Sequence, residues 1–280
     1  MTATVTNSEG TDTDSINLSW GCPILNNPPE ISEIVLLSMG THPNINYSYE
    51  VKVNASDPDG DNLTYKWDVT GGTVDNPNRN QMTWNTPGLT GDYAISVKVE
   101  DGNDGIAEDS IQVGVYRLVE LHPLVGEGGE IIRNEIAHPG NFPYIGDTDT
   151  NQPVKGFISF DITGLSGAEV VYVHLALGNE IPAGDNPSEL IEAVWLEVVD
   201  WGNGQIEYND YNLNGILVME SENPNFSCVD GRLIDELRKA ITDGKERLQL
   251  RIRHKGFSSD NDNMADGWSY QNIKLWVTYR

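Results

Sequence analysis

Basic residues and cysteines are both scarce in this chain, and each scarcity removes a class of function. Only 17 Lys and Arg stand against 43 Asp and Glu in 280 residues, a formal net charge of −26. A field of that sign repels nucleic acid and anionic membrane surfaces, so neither is expected as a partner; it favours bound cations or solubility in high salt. The two cysteines, Cys22 and Cys228, lie far apart. That is neither a disulfide framework nor a zinc site, and it leaves room for at most one bridge between segments. No stretch approaches the roughly 18 apolar residues of a membrane helix, so no membrane insertion is expected. Residues 1–21 have neither a basic n-region nor an apolar h-region, and no signal peptide is expected there. Catalytic signatures are missing as well. His42, His122, His138, His174 and His254 show no ligand spacing, and no G-x-S-x-G elbow, P-loop or dinucleotide fingerprint occurs. Acidic pairs are so numerous that any glycosidase dyad drawn from them would be arbitrary. An enzyme is not expected, beyond an accessory piece of a polysaccharide-degrading one.

What the chain does contain is strand-length alternation broken by Gly, Pro, Asn and Asp. Its length suits about two domains. Over residues 26–116, Tyr49, Val51 and Val53 share one face, as do Tyr93, Ile95, Val97 and Val99. Asp-Pro-Asp-Gly60 and Thr-Gly-Gly72 mark turns, and Trp67 and Trp84 are expected to fill the core of a seven-strand antiparallel sandwich. Residues 1–20 echo the end of this segment: Ala3-Thr-Val-Thr…Gly10…Asp-Ser-Ile-Asn-Leu18 runs like Ile95-Ser-Val-Lys…Gly105…Asp-Ser-Ile-Gln-Val113. Both read strand, Gly-rich turn, strand, which is the mark of a repeated module. Because a lone hairpin is marginal in water, residues 1–25 are expected to be the last strands of an upstream copy or a segment that pairs with another sheet edge.

Three clusters in 26–116, Ser56-Asp-Pro-Asp-Gly-Asp61, Leu63-Thr-Tyr-Lys-Trp67 and Gly91-Asp-Tyr93…Val97-Lys-Val-Glu-Asp-Gly102, together with Trp84…Pro87, resemble the PKD domain. The resemblance implies an immunoglobulin-like spacer of extracellular or cell-surface proteins. The family's W-D-F-G-D-G is here Trp67-Asp-Val-Thr-Gly-Gly72.

Residues 117–280 read as many strands around one helix. Asp230 can cap that helix, Leu233, Ile234, Leu237, Ala240 and Ile241 form its apolar stripe, and Asp243-Gly244 ends it. Extended segments are expected at 117–125, 129–136, 155–162, 168–178, 190–200, 246–254 and 272–280, the make-up of a jelly-roll sandwich. Lys155-Gly-Phe-Ile-Ser-Phe-Asp-Ile162, Ala168-Glu-Val-Val-Tyr-Val-His-Leu-Ala-Leu177, Leu248-Gln-Leu-Arg-Ile-Arg253 and Lys274-Leu-Trp-Val-Thr-Tyr279 look like the DNRLRE-type jelly-roll module, which is similar to carbohydrate-binding modules. That resemblance implies glycan binding or structural display. The chain as a whole is therefore expected to be all-β, an immunoglobulin-like sandwich followed by a jelly-roll β-sandwich with one short helix.

Two oxygen-rich runs are calcium candidates. Asp57, Asp59 and Asp61 alternate on a tight turn, with Asp101 and Asn27 as contributors from other loops; Asp260, Asp262 and Asp266 form the second set, and Asp147 and Asp149 a weaker one. Hard cations take six to eight oxygens, which such turns supply, although solvated Asx turns have the same composition. On the strand 246–254, Leu248, Leu250 and Ile252 point inward, so Arg247, Gln249, Arg251 and Arg253 share the other face. An open basic row would suit a uronic or sulfated polysaccharide; alternatively these arginines pair with Glu192, Glu197 or other acids across strands. Trp268, Tyr270 and Trp276 are candidate stacking platforms, and Tyr208 and Tyr211 exposed aromatic candidates. The expected partners are a polysaccharide or cell-surface glycan, and like subunits if residues 1–20 add a strand to a neighbour.

Overall fold

The computed structural model describes residues 2–15, 25–37, 42–185, 192–256 and 259–280. The proposed Cys22 half of a bridge lies outside them, and Cys228 is a free, buried thiol. Two compact units emerge from the contacts. One comprises residues within 1–38, 49–84 and 94–111, and the other residues within 39–48, 85–93 and 112–280.

Residues 2–15 form an antiparallel hairpin of β1 (Thr2–Asn7) and β2 (Gly10–Ser15), with Thr2 opposite Ser15 and Asn7 opposite Gly10. Seven strands follow: β3 (Glu30–Leu36), β4 (Ser48–Ser56), β5 (Thr64–Val69), β6 (Thr73–Asp75), β7 (Gln81–Asn85), β8 (Gly91–Glu100) and β9 (Ile106–Val115). They make one sheet in the order β3-β4-β7-β6 and another in the order β5-β8-β9, an immunoglobulin-like arrangement. Alternation explains the core: Tyr49, Val51, Val53, Ile95, Val97 and Val99 are buried, while their neighbours in sequence are not. Trp67 and Trp84 are buried with them, and each indole N–H finds a carbonyl, Arg79 O at 2.8 Å and Gly71 O at 2.9 Å. Satisfying that one polar atom is what lets a tryptophan sit fully inside.

The remainder is a second all-β body. Its elements are β10 (Arg117–Leu121), β11 (Gly129–Ile132), β12 (Ala137–Pro139), β13 (Tyr144–Asp147), β14 (Pro153–Asp161), β15 (Val170–Ala176), β16 (Asn179–Ala183), β17 (Val194–Val199), β18 (Ile216–Ser221), β19 (Ser227–Cys228), α1 (Gly231–Thr242), β20 (Arg247–His254), β21 (Gly267–Gln271) and β22 (Lys274–Tyr279). A small sheet runs β10-β22-β15-β19, and a large one runs β16-β21-β13-β14-β20-β17-β18, with β11 and β12 joined to it at β14. A single apolar core draws on both sheets, including Val173, Leu175, Leu275 and Val277 from the small one and Phe160, Leu196, Leu250 and Ile252 from the large one.

Helix α1 closes this core with Leu233, Leu237 and Ala240, the stripe expected from its sequence. It starts where Asp230 accepts the Arg232 amide at 2.7 Å and ends at Gly244, whose φ of 70° suits glycine. Asp230→Ala is expected to lower stability by about 1 kcal/mol, read as a shift in the urea midpoint with the slope unchanged. Among the described residues, no helix is long and apolar enough to cross a membrane.

Candidate ligand-binding surface and cation sites

Strand β20 lies between β14 and β17 in the large sheet, with Leu250 opposite Ile158 on one side and Val198 on the other. Leu248, Leu250 and Ile252 face the core as the alternation requires. The opposite face is not the open basic row that the sequence suggested. Residues 200–213 lie over it, held by Ile206, Tyr211 and Trp201, which pack on Phe157 and Ile131. Gln249, 3% exposed, locks this cover in place. Its Oε1 accepts the Trp201 amide at 2.8 Å, and its Nε2 donates to Gly202 O at 2.7 Å. Arg247 pairs with Glu127 through Nε at 3.0 Å. Arg251, 4% exposed, donates to Glu197 at 2.7 and 2.6 Å and to Leu213 O at 2.8 Å. Gln249 is thus taken up by backbone groups of the cover, while Arg247 and Arg251 are paired with acids, as the pairing alternative has it. Their carboxylates need not be distant in sequence pattern to be missed: Glu197 was a named partner, but Glu127 lies on a loop that carried no signal.

Glu197 serves two guanidiniums at once. Arg253 reaches it through Nε at 2.9 Å and Nη2 at 2.8 Å, while its guanidinium lies 4.4 Å above the Trp195 ring. Burial pushes the Glu197 carboxyl upward, but the hydrogen bonds and charges of Arg253 and Arg251 outweigh it and hold the group below its usual range. The row reaches the surface at both of its ends, at Arg247 and again at Arg253. At the Arg253 end a cavity of about 350 Å³ is bordered by Arg133, Lys155, Tyr211, Asn212, Arg253 and Lys255. Lys155 was not among the expected site residues. It projects from β14, donates to Tyr211 O at 2.8 Å and sits 3.9 Å from the centre of the Tyr211 ring. Tyr211 itself is 7% exposed, so it is a wall of the recess and not the exposed aromatic expected; Tyr208 is exposed.

The other aromatic candidates scatter. Tyr270 is fully buried in the core and cannot stack on a ligand. Trp268 packs partly buried against the same core. Trp276 lies on the small sheet, stacked on His174 with centroids 5.1 Å apart, and donates Nε1 to Glu120 at 2.8 Å. The structure brings none of the three together with Arg253.

Asp57, Asp59 and Asp61 do converge, each offering an oxygen within 4.8 Å of the others. The turn itself uses them. Asp57 Oδ1 accepts the amides of Asp59 and Asp61, Asp59 accepts both nitrogens of Asn27, and Asp61 accepts the Asn103 side chain. Asp101 is almost fully buried, and the Asn26 amide holds its carboxyl below the usual range, with the Asn103 and Gly105 amides assisting. This loop network engages most of its carboxylate oxygens, but the buried Asp57 Oδ2 has no hydrogen-bond partner among the described residues.

The second acidic set has a further carboxylate beneath it. Asp260, Asp262 and Asp266 likewise converge within 4.8 Å. Behind them stands Asp147, at the end of β13 and fully buried. Its Oδ1 accepts the Asp266 amide at 3.1 Å, and its Oδ2 has no partner of good hydrogen-bond geometry. Burial raises the Asp147 carboxyl, the Asp266 amide and Ser259 hydroxyl lower it, and the charges of Asp260 and Asp266 push it up again. Gly184 faces the same place: a Cβ there would collide with the Asp266 carboxylate and the Ala265 carbonyl, and φ is +81°.

Several solved structures are similar to parts of this chain. A nucleoside hydrolase-related protein of Saccharophagus degradans associated with carbohydrate metabolism is 20% identical over 32% of this chain and 25% of its own, with a TM-score of 0.25. The chain thus spans a quarter of that protein's length. Carbohydrate-binding modules of the β-sandwich superfamily are 10% identical over 91% of this chain and 93% of theirs, at 0.35. The Bacteroides ovatus glucan-locus protein SGBP-B, solved with a mixed-linkage heptasaccharide, is 9% identical over 99% and 63%, at 0.31. No curated protein matches the chain. Residues 37–115, within the segment whose motifs carry the resemblance, match the PKD domain family.

Proposed function

We propose that the chain is a non-catalytic extracellular or cell-surface module, in which a PKD-like sandwich acts as spacer and the jelly-roll body, of DNRLRE type, binds polysaccharide. One observation carries this reading: the recess beside β20, where Lys155 and Asn212 offer hydrogen-bond donors beside the Tyr211 ring and the Arg253 guanidinium. Sugar rings present hydroxyls at their edges and C–H groups on their faces, so a concave site mixing polar and aromatic groups suits them. The buried network under it supplies rigidity, which lowers the ordering cost of binding. Affinity electrophoresis of the full chain through gels of neutral and acidic polysaccharides tests the reading. Retardation that falls severalfold in Asn212→Ala supports it, and mobility unaffected by every polysaccharide overturns it.

Calcium belongs to the same proposal. Asp147, Asp260, Asp262 and Asp266 would hold the ion, with the buried Asp147 oxygen as the observation that supports it.

A second reading, assembly with like subunits, rests on the hairpin of residues 2–15. Among the described residues β1 and β2 pair only with each other, so both edges can accept a strand. Light scattering with and without residues 1–25 separates the two: a particle mass that drops on removal favours assembly, and an unchanged monomer removes it.

A further inference from the structure

Positive charge is gathered in one place on this acidic chain. Arg133, Lys155, Arg253 and Lys255 all border the recess, and no Asp or Glu among the described residues does. Of the acids that approach it, Glu192 lies beside Gly256 and, with Glu222, acts on Lys255, and two others are engaged from beneath or beside it. Glu197 is buried in the floor, where Arg251 and Arg253 share it, and Glu220 takes Lys255 at 2.9 Å. Among the described residues Lys155 has no carboxylate to itself; its one described hydrogen bond goes to the neutral carbonyl of Tyr211. Three cations, Lys155, Arg251 and Arg253, thus lean on the single carboxylate of Glu197.

Such an arrangement is costly for a chain with acids to spare. A half-buried ammonium loses hydration and meets like charges, and both disfavour its protonated form. Lys155 shows the consequence: burial, then Arg251 and Arg253, lower its pKa to about 7, with Arg133 adding to the effect and Glu197 opposing it. Tyr211 feels the same three arginines. An anion in the recess would reverse the balance by supplying the missing counter-charge to Lys155. His254, also at the recess, is buried with both ring nitrogens lacking hydrogen bonds, and burial lowers it to about 4, so it stays neutral near pH 7.

We infer that the recess bounded by Arg133, Lys155, Asn212 and Arg253 binds the anionic group of an acidic sugar residue, a carboxylate or a sulfate ester. The inference rests on the polysaccharide-binding reading and narrows it to acidic polymers. Guanidinium and ammonium donors around one opening match the planar or tetrahedral oxygens of such groups.

The test uses the full chain in affinity electrophoresis and calorimetry against three probes: polygalacturonate, chondroitin sulfate and a neutral β-glucan. Binding to one or both acidic probes and not to the glucan is expected, with the stronger of the two identifying carboxylate or sulfate. Lys155→Met should weaken that binding at least tenfold, and Arg133→Gln, which leaves the Tyr211 contact intact, should weaken it too. Lys155→Arg should retain binding while flattening its pH dependence. In the parent chain, affinity should fall as pH rises from 6 to 8 and Lys155 loses its proton, and a guanidinium does not titrate there. Acidic-probe binding that survives both neutralising substitutions overturns the site assignment. Binding to the neutral glucan alone overturns the acidic specificity and leaves the polysaccharide reading standing. Silence towards all three overturns both.

Discussion

Glu197→Ala should unfold the jelly-roll body at markedly lower urea concentration than the parent chain, a loss of about 3–5 kcal/mol. The reason is what the substitution leaves behind. Arg251 is 4% exposed, and Glu197 takes its Nε and Nη2 while only neutral carbonyls take Nη1, so removing the carboxylate strands a charge that water cannot reach. Arg253 loses its partner as well but keeps the carbonyls of His254 and Lys255 and the Trp195 ring. Glu197→Gln keeps the shape and loses the charge, so it should fall between the two. Replacing Glu197 and Arg251 together by apolar residues should recover much of the loss, because an absent buried pair leaves nothing unsatisfied. The sign with pH follows from the depressed Glu197 carboxyl. A group whose folded pKa lies below its unfolded value stabilises above the unfolded value, about 4.3 for Glu, and that contribution fades as pH falls through the folded pKa. The parent chain should therefore lose stability below about pH 4 more steeply than Glu197→Gln. Equal urea midpoints for the parent and Glu197→Ala would show that the network bears no weight.

Much of the fold was legible because burial enforces period. The runs around Val51, Val97 and Leu250 alternate for at least five residues, and each became a strand with the expected residues inside. The helix was legible through its cap and stripe. Less readable were β12, β13, β16 and β21, which are short or rich in Gly and polar residues, such as Gly-Trp-Ser-Tyr-Gln in β21, and β18, whose continuous Ile-Leu-Val-Met run shows no alternation. Their place in the sheet depends on neighbours far away in the chain. The same limit governed the site. Alternation placed Arg247, Gln249, Arg251 and Arg253 on one face correctly, but nothing local announced that residues 200–213 would cover Gln249 and Arg251. The apolar Trp201 and Ile206 were the available hint, since a loop that exposed both would be unusual. Lys155 was invisible for a related reason: one lysine in an apolar strand reads as a solvent-facing residue, and only the convergence of Arg133, Arg251 and Arg253 gives it meaning.

Removal of calcium is the second large effect expected, and it should act through Asp147. An ion that binds only the folded chain stabilises it by about 2.7 kcal/mol at 100 times its dissociation constant and about 4.1 at 1,000 times. The ligands come from β13 and from the loop before β21, strands that are paired through Ile145 and Trp268. An ion there would tie a long polar loop to the large sheet and relieve the repulsion among four carboxylates. Chelation should lower the melting temperature of the parent chain, and added calcium should restore it. In Asp147→Asn the response to calcium should vanish, while the chelated protein should be as stable as the chelated parent or more so, because a buried negative charge has gone. Asp57→Asn offers the control: its loop is braced by amides of its own, so the response at the second site should persist. A carboxyl kept protonated instead of metal-bound gives the opposite pattern. With a raised folded pKa, Asp147 would then contribute stability at acidic pH that is lost as pH rises through that pKa, with no response to chelator or calcium. That outcome would end the calcium assignment and leave the polysaccharide site untouched, since Lys155 and Arg253 take no part in it.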